Sequence, residues 1–158
     1  MAENTLALAD FAARVDTVIG VSPWLLIDQT MIDRFADVTR DHQYIHIDPI
    51  RAAATELGGT IAHGYLTLAL SAHLAEQALP ALAGAQMTIN YGFERLRFLH
   101  PVPSGARIRA HFGLVELDQG HPGQVRFHWD LRIEIEGVDK PALIARWITL
   151  AVIAQASA

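Results

Sequence analysis

His63-Gly64-Tyr65-Leu66-Thr67-Leu68-Ala69-Leu70-Ser71-Ala72-His73-Leu74-Ala75-Glu76-Gln77-Ala78-Leu79, closed by Pro80, is the most apolar helical stretch of this 158-residue chain. Leu66, Leu68, Ala69, Leu70, Ala72, Leu74 and Ala75 cover most of its circumference, which predicts burial on several sides. Such a helix needs something to wrap it, and the second half of the chain supplies it. Residues 86–98, 107–118, 124–136 and 142–154 read as strands. Turn signals separate them at Pro101-Val102-Pro103-Ser104-Gly105, at Gly120-His121-Pro122-Gly123 and from Gly137 to Pro141. Alternation in Leu131-Arg132-Ile133-Glu134-Ile135-Glu136 is that of a half-buried strand. Long antiparallel strands after one apolar helix predict an α+β fold, a curved sheet around that helix.

Upstream, residues 4–15 read as a short helix and 18–27 as a strand with Gly20 and Pro23 as irregularities. Asp28 is the N-cap expected for a helix carrying Met31, Ile32, Phe35, Ala36 and Val38 at helical spacing. Asp48-Pro49 starts another helix, Ile50 to Leu57, ended by Gly58-Gly59. With no repeat, linker or low-complexity segment, residues 1–158 are expected to form a single domain.

Apolar residues make up 51% of the chain and charged ones 18%, enough for a substantial core. A net charge of −5 argues against a nucleic-acid partner, which needs a basic face. The absence of cysteine excludes disulfides, thiolate metal sites and a cysteine nucleophile. Glu3, Asp10, Arg14 and Asp16 interrupt any signal-peptide pattern, and the nearly apolar tract from Ile61 to Leu74 is too short to span a membrane. The expectation is a soluble, cytoplasmic protein with no membrane partner.

Asp41-His42-Gln43-Tyr44-Ile45-His46 is the candidate for chemistry, although any one of the eight histidines taken alone suits a surface or structural place better. A carboxylate and an imidazole held near each other suit proton transfer at neutral pH. Gly64 falls at the start of the apolar helix, where N–H groups lack partners and the dipole favours negative charge. An acid–base pair facing such a donor suits reactions that build charge on a carbonyl oxygen, as next to a thioester. A glycine at a helix start or at a helix–sheet contact explains Gly64 as well. His42 and His46 have the spacing of a helical ligand pair, but Asp48-Pro49 restarts a helix just beyond them, and no metal is expected. Ser22, Ser71, Ser104 and Ser157 lack a Gly-flanked nucleophile elbow, and no phosphate-cradling glycine loop occurs. In Asn90-Tyr91-Gly92-Phe93-Glu94-Arg95-Leu96-Arg97-Phe98, the glycine marks a bulge or close backbone approach. The arginines there suit either a phosphate-bearing ligand or an exposed sheet face.

Asp41 to Pro49, followed by Thr60-Ile61-Ala62-His63-Gly64-Tyr65-Leu66-Thr67-Leu68, resembles the MaoC-like dehydratases, and within them the NodN-like branch. Asn90 to Gly105 also resembles the family's strand after the central helix, so the likeness runs from about Val18 onward. The family includes the (R)-specific enoyl-CoA hydratases and has the hot-dog fold, a long helix wrapped by an antiparallel sheet. The resemblance implies catalytic roles for Asp41 and His46, with the Gly64 N–H polarising a thioester carbonyl. It implies substrate contacts at Gln43, Tyr44, His63, Tyr65 and Arg97, with no cofactor. The activity implied is reversible addition of water to trans-2-enoyl-CoA, giving (R)-3-hydroxyacyl-CoA, in a homodimer. Arg40, Gln43 and Tyr44 stand where the usual signature has glycine, asparagine and proline, and Ala72, beside Ser71, where some relatives carry a serine. The alternatives on the same fold are a thioesterase and a non-catalytic acyl-CoA-binding or partner subunit.

Overall fold

The computed structural model describes residues 5–153. Along the chain run β1 (Thr5–Leu6), α1 (Leu8–Ala12), β2 (Thr17–Val21), β3 (Leu25–Leu26), α2 (Gln29–Thr39), α3 (Tyr44–Ile47) and α4 (Pro49–Ala53). Then come α5 (Gly64–Ala69), α6 (Ser71–Ala78), β4 (Ala81–Leu82), β5 (Ala85–Phe98), β6 (Arg107–Asp118), β7 (Gln124–Ile135) and β8 (Val138–Ile153). The main sheet is antiparallel in the order β2-β6-β7-β8-β5, with β3 continuing beside β6. β1 and β4 form a short parallel pair of their own.

Alternation fixes which side of the sheet faces inward. Ile108, Ala110, Phe112 and Leu114 of β6 and Val125, Phe127, Trp129, Leu131 and Ile133 of β7 are buried, while Arg109, His111 and Arg132 point away. The helices lie on the inner face through Leu66, Thr67, Ser71, Leu74 and Ala75. They come close to the sheet at Gly20 of β2, where an added Cβ would stand 2.3 Å from the Ala78 carbonyl oxygen. Only a bare backbone there lets the end of α6 lie down on the sheet.

The four long strands form as expected, and Asp28 and Asp48 cap α2 and α4 by accepting from the Met31 and Arg51 N–H groups at 2.8 and 3.0 Å. Four other expectations are corrected. The apolar helix is divided at Leu70 into α5 and α6, and it is buried on one side rather than several: Tyr65, Ala69, Ala72, His73, Glu76 and Gln77 are exposed, because one sheet of one chain covers one face only. The strand at 18–27 is split into β2 and β3. Pro23 has no N–H for the ladder, and the last pairing before it is Ser22 with Ala110: the Ser22 N–H donates to the Ala110 carbonyl and the Ser22 hydroxyl, in place of a carbonyl, accepts from the Ala110 N–H, both at 2.9 Å. The helix at 4–15 shrinks to Leu8–Ala12 because Thr5 and Leu6 pair with β4, and the helix at 50–57 stops at Ala53. Residue 4 of that first helix and residue 154 of the last strand lie outside the described residues. Among the described residues, no helix is long and apolar enough to cross a membrane.

One edge of the sheet is β5, and it is open along its length, with Met87, Ile89 and Tyr91 exposed. An edge strand of this length with exposed apolar side chains is a template for pairing with another chain.

Candidate active site

α2 delivers the chain to the site and ends at Arg40, whose backbone is left-handed (φ 62°, ψ 22°). That conformation costs a non-glycine residue about 1–2 kcal/mol. The glycine of the usual signature would adopt it freely, so Arg40 keeps the turn despite the changed residue.

Asp41 follows in the loop, with about half of its side chain exposed, its Oδ1 3.4 Å from the Gln43 N–H. His46 sits in the single turn of α3, which the sequence did not announce, and is buried. Its Nδ1–H donates to the Ile61 carbonyl at 2.7 Å, since a carbonyl can only accept. This fixes the tautomer and leaves Nε2 with a free lone pair. Gln29 braces the same turn: its amide donates to the His46 carbonyl and to Asp33, each at 2.7 Å, and its carbonyl oxygen accepts from the Thr60 hydroxyl. Burial holds the His46 pKa below its ordinary 6.5, helped by the charge of His63 and opposed by the Ile61 hydrogen bond and by Asp41. A lowered pKa favours the neutral imidazole at pH 7.

His63 lies beneath this pair. Its ring stacks on His46 with centroids 3.7 Å apart and planes 24° from parallel, Phe35 packs 5.1 Å away, and Nε2–H donates to the Asp41 backbone carbonyl at 2.9 Å. A carboxylate oxygen of Asp41 and ring nitrogens of His46 and His63 all lie within 4.8 Å of one another. The trio resembles a ligand set, but nearly parallel rings aim their lone pairs along separate planes. One ion at about 2.0 Å from each nitrogen cannot lie in both. His42, which has the spacing of a ligand partner to His46, turns away to Asp37 at 3.0 Å.

His46, Gly64, Tyr65, Thr67, Phe98 and His100 line an open cleft of about 390 Å³. Gly64 is the first residue of α5, so the helix gives its N–H no partner. Phe98 of β5 packs over it: an added Cβ would meet the ring at 3.0 Å. Of the sequence-predicted residues, Asp41, His46, His63, Gly64 and Tyr65 gather at or beside the cleft. Three others do not line it. Gln43 is exposed, Tyr44 lies under the Arg51 guanidinium at 4.2 Å, and Arg97 is exposed with Nη1 donating to the Leu96 carbonyl. Sequence reasoning missed Gln29, Phe98 and His100. Gln29 gave no signal beyond standing next to an N-cap, and the other two sat unremarked in the strand and turn that resemble the family.

Residues 10–128 match the MaoC like domain family. The chain is 43% identical over 148 residues to nodulation protein N of Rhizobium leguminosarum bv. viciae, covering 93% of this chain and 92% of that one. It is 44% identical over 142 residues to 3-hydroxyacyl-thioester dehydratase Z of Mycobacterium tuberculosis (strain CDC 1551 / Oshkosh), covering 90% and 93%. A solved MaoC-like dehydratase from Rhodospirillum rubrum superposes with a TM-score of 0.76 at 20% identity, covering 96% of this chain and 99% of the other. The fold is that of a hot-dog protein. The chain belongs to the MaoC-like domain family.

Proposed function

We propose that this protein is a hydratase/dehydratase of enoyl thioesters, adding water reversibly to trans-2-enoyl-CoA to give the (R)-3-hydroxyacyl product. One observation carries the reading: a buried His46 with Nε2 free lines a cleft with the first residue of α5, and a ring nitrogen of it lies within 4.8 Å of an Asp41 carboxylate oxygen. Water between His46 Nε2 and Asp41 would reach both groups. One of the two accepts its proton as the oxygen attacks the β carbon, the other delivers a proton to the α carbon, and the Gly64 N–H meets the enolate-like oxygen. The mycobacterial relative's name, a 3-hydroxyacyl-thioester dehydratase, supports this chemistry.

In the same reading residues 1–158 act as one domain, Tyr65 walls the acyl path, and exposed Arg97 is the candidate for a coenzyme A phosphate. Gln43 and Tyr44 belong to the rim. Two copies pair through the open β5 edge, in the cytoplasm. The test is the loss of enoyl-thioester absorbance with crotonyl-CoA, the chirality of the product, and a thiol reagent for released CoA. Hydration to the (R) product is expected. Release of CoA would mean a thioesterase, and a folded, inert protein a binding subunit; either overturns the proposal.

A further inference from the structure

The three parts of the site meet at His63. It is the N-cap residue of α5, so the chain runs from it directly into Gly64. Its ring stacks on His46 with centroids 3.7 Å apart, and its Nε2–H donates to the Asp41 carbonyl at 2.9 Å. Neither ring nitrogen is offered to the cleft. Nε2 is engaged by that carbonyl, and Nδ1 is enclosed, with no hydrogen-bond partner among the described residues. The side chain is only 3% exposed, and His63 does not line the cleft that His46 and Gly64 share.

The hydrogen bond matters for the loop that carries Asp41. α2 ends at Thr39, and residues 41–43 belong to no helix or strand. Within that loop Asp41 Oδ1 stands 3.4 Å from the Gln43 N–H, at the long limit of a hydrogen bond. His63 supplies a shorter one from outside the loop. It takes the main chain and not the carboxylate, whose Oδ2 is 3.9 Å from Nε2. The carbonyl is fixed, and the carboxylate is left for the reaction. The donor is itself held, with Phe35 packed against its ring at 5.1 Å.

We propose that His63 is a positioning residue: through the Asp41 carbonyl it sets where the carboxylate stands relative to His46, and it makes no contact with substrate. The inference rests on the hydratase reading of Asp41 and His46 and deepens it, since that reading gives His63 no part in the chemistry.

Two variants separate the ring from the donor. His63→Phe keeps a ring face against His46 and loses the N–H, whereas His63→Gln loses the ring and keeps an amide donor of similar reach. With crotonyl-CoA, His63→Phe is expected to lose about 10² in kcat, the effect of a displacement of about 1 Å, with KM within about twofold of wild type. His63→Gln should recover most of that loss. A raised KM at wild-type kcat would make His63 a substrate contact, and wild-type kinetics in a folded but less stable His63→Phe would make it a packing residue. Either overturns the proposal, and so does a loss in His63→Gln as large as in His63→Phe. Should His63→Phe fail to fold, NMR of the wild type decides. The His63 ring N–H proton should be visible and slow to exchange, with the Asp41, His42 and Gln43 amides as ordered as those of α2. A fast-exchanging ring proton or a mobile loop overturns the proposal. That measurement needs no turnover, so a protected ring proton in a protein that fails to hydrate crotonyl-CoA would sink the hydratase assignment and leave the hold on Asp41 standing.

Discussion

Gly64→Ala separates packing from chemistry at one position. The new Cβ would stand 3.0, 3.1 and 3.2 Å from the Cδ1, Cε1 and Cγ atoms of Phe98. Ordinary carbon contacts are about 3.5–4.0 Å, so the ring must retreat by about 0.5–1 Å. Phe98 is 46% exposed at the end of an edge strand, so it has room to swing outward. The stability cost should therefore fall at the low end of the overpacking range, about 1 kcal/mol. That corresponds to a fall in Tm of about 2–4 °C for a domain of this size. If the Gly64 N–H stabilises the developing oxyanion, displacing the carbonyl from it should lower kcat by about 10²–10³. Thermal unfolding and crotonyl-CoA hydration, measured on the same preparation, give both numbers. A variant that unfolds a few degrees early but turns over within a factor of two of wild type would refute the oxyanion role and leave Gly64 as a packing glycine.

The pH profile tests His46. Burial holds its pKa below 6.5, so where His46 is the group that accepts the water's proton, the acid limb of kcat/KM should have its midpoint below 6.5; a midpoint above that value contradicts that assignment of roles. The same shift bears on stability. The group is neutral in both states above 6.5, the unfolded chain takes up its proton first as pH falls, and the His46 contribution is lost as pH drops through the folded-state pKa; denaturant midpoints across that range read it. Gly20→Ala would drive a Cβ to 2.3 Å from the Ala78 oxygen and 2.9 Å from its carbonyl carbon, both backbone atoms that cannot step aside; a loss of about 1–3 kcal/mol or more is expected in urea unfolding, and an unchanged midpoint would contradict the close packing of α6 on β2. Arg40→Gly should keep turnover and change stability by no more than about 1 kcal/mol, since the left-handed turn is already formed and glycine's looser unfolded chain offsets the relieved strain; a large loss of activity would give Arg40 a role of its own.

Much of the fold was legible because alternation and capping are local signals. Arg107-Ile108-Arg109 and Leu131 to Glu136 alternate as their burial does, and Asp28 and Asp48 cap the helices they precede. What the sequence hid depends on partners far away. Pro23 gave notice of an irregularity, but the length of the break depends on Ser22 reaching Ala110. The apolar circumference of residues 63–79 implied burial on several sides, whereas one chain's sheet covers a single face. The site divides the same way. Asp41, His46 and Gly64 stood out by residue type and spacing, while Gln29 is far from His46 in sequence and only folding makes it a brace. Ser71 beside Ala72 shows the limit of matching by position: the serine is the buried one, and the alanine faces outward.

Asp41→Asn and His46→Ala, assayed for crotonyl-CoA hydration beside the wild type, test the central claim most directly. Asp41→Asn keeps the shape of an exposed side chain, and His46→Ala removes a group whose main tie is the Ile61 carbonyl, so circular dichroism should report a folded protein for both. The account predicts that the wild type hydrates crotonyl-CoA and that each variant loses about 10²–10⁴ in kcat, the contribution of a positioned acid or base. Near-wild-type turnover in both folded variants would contradict it.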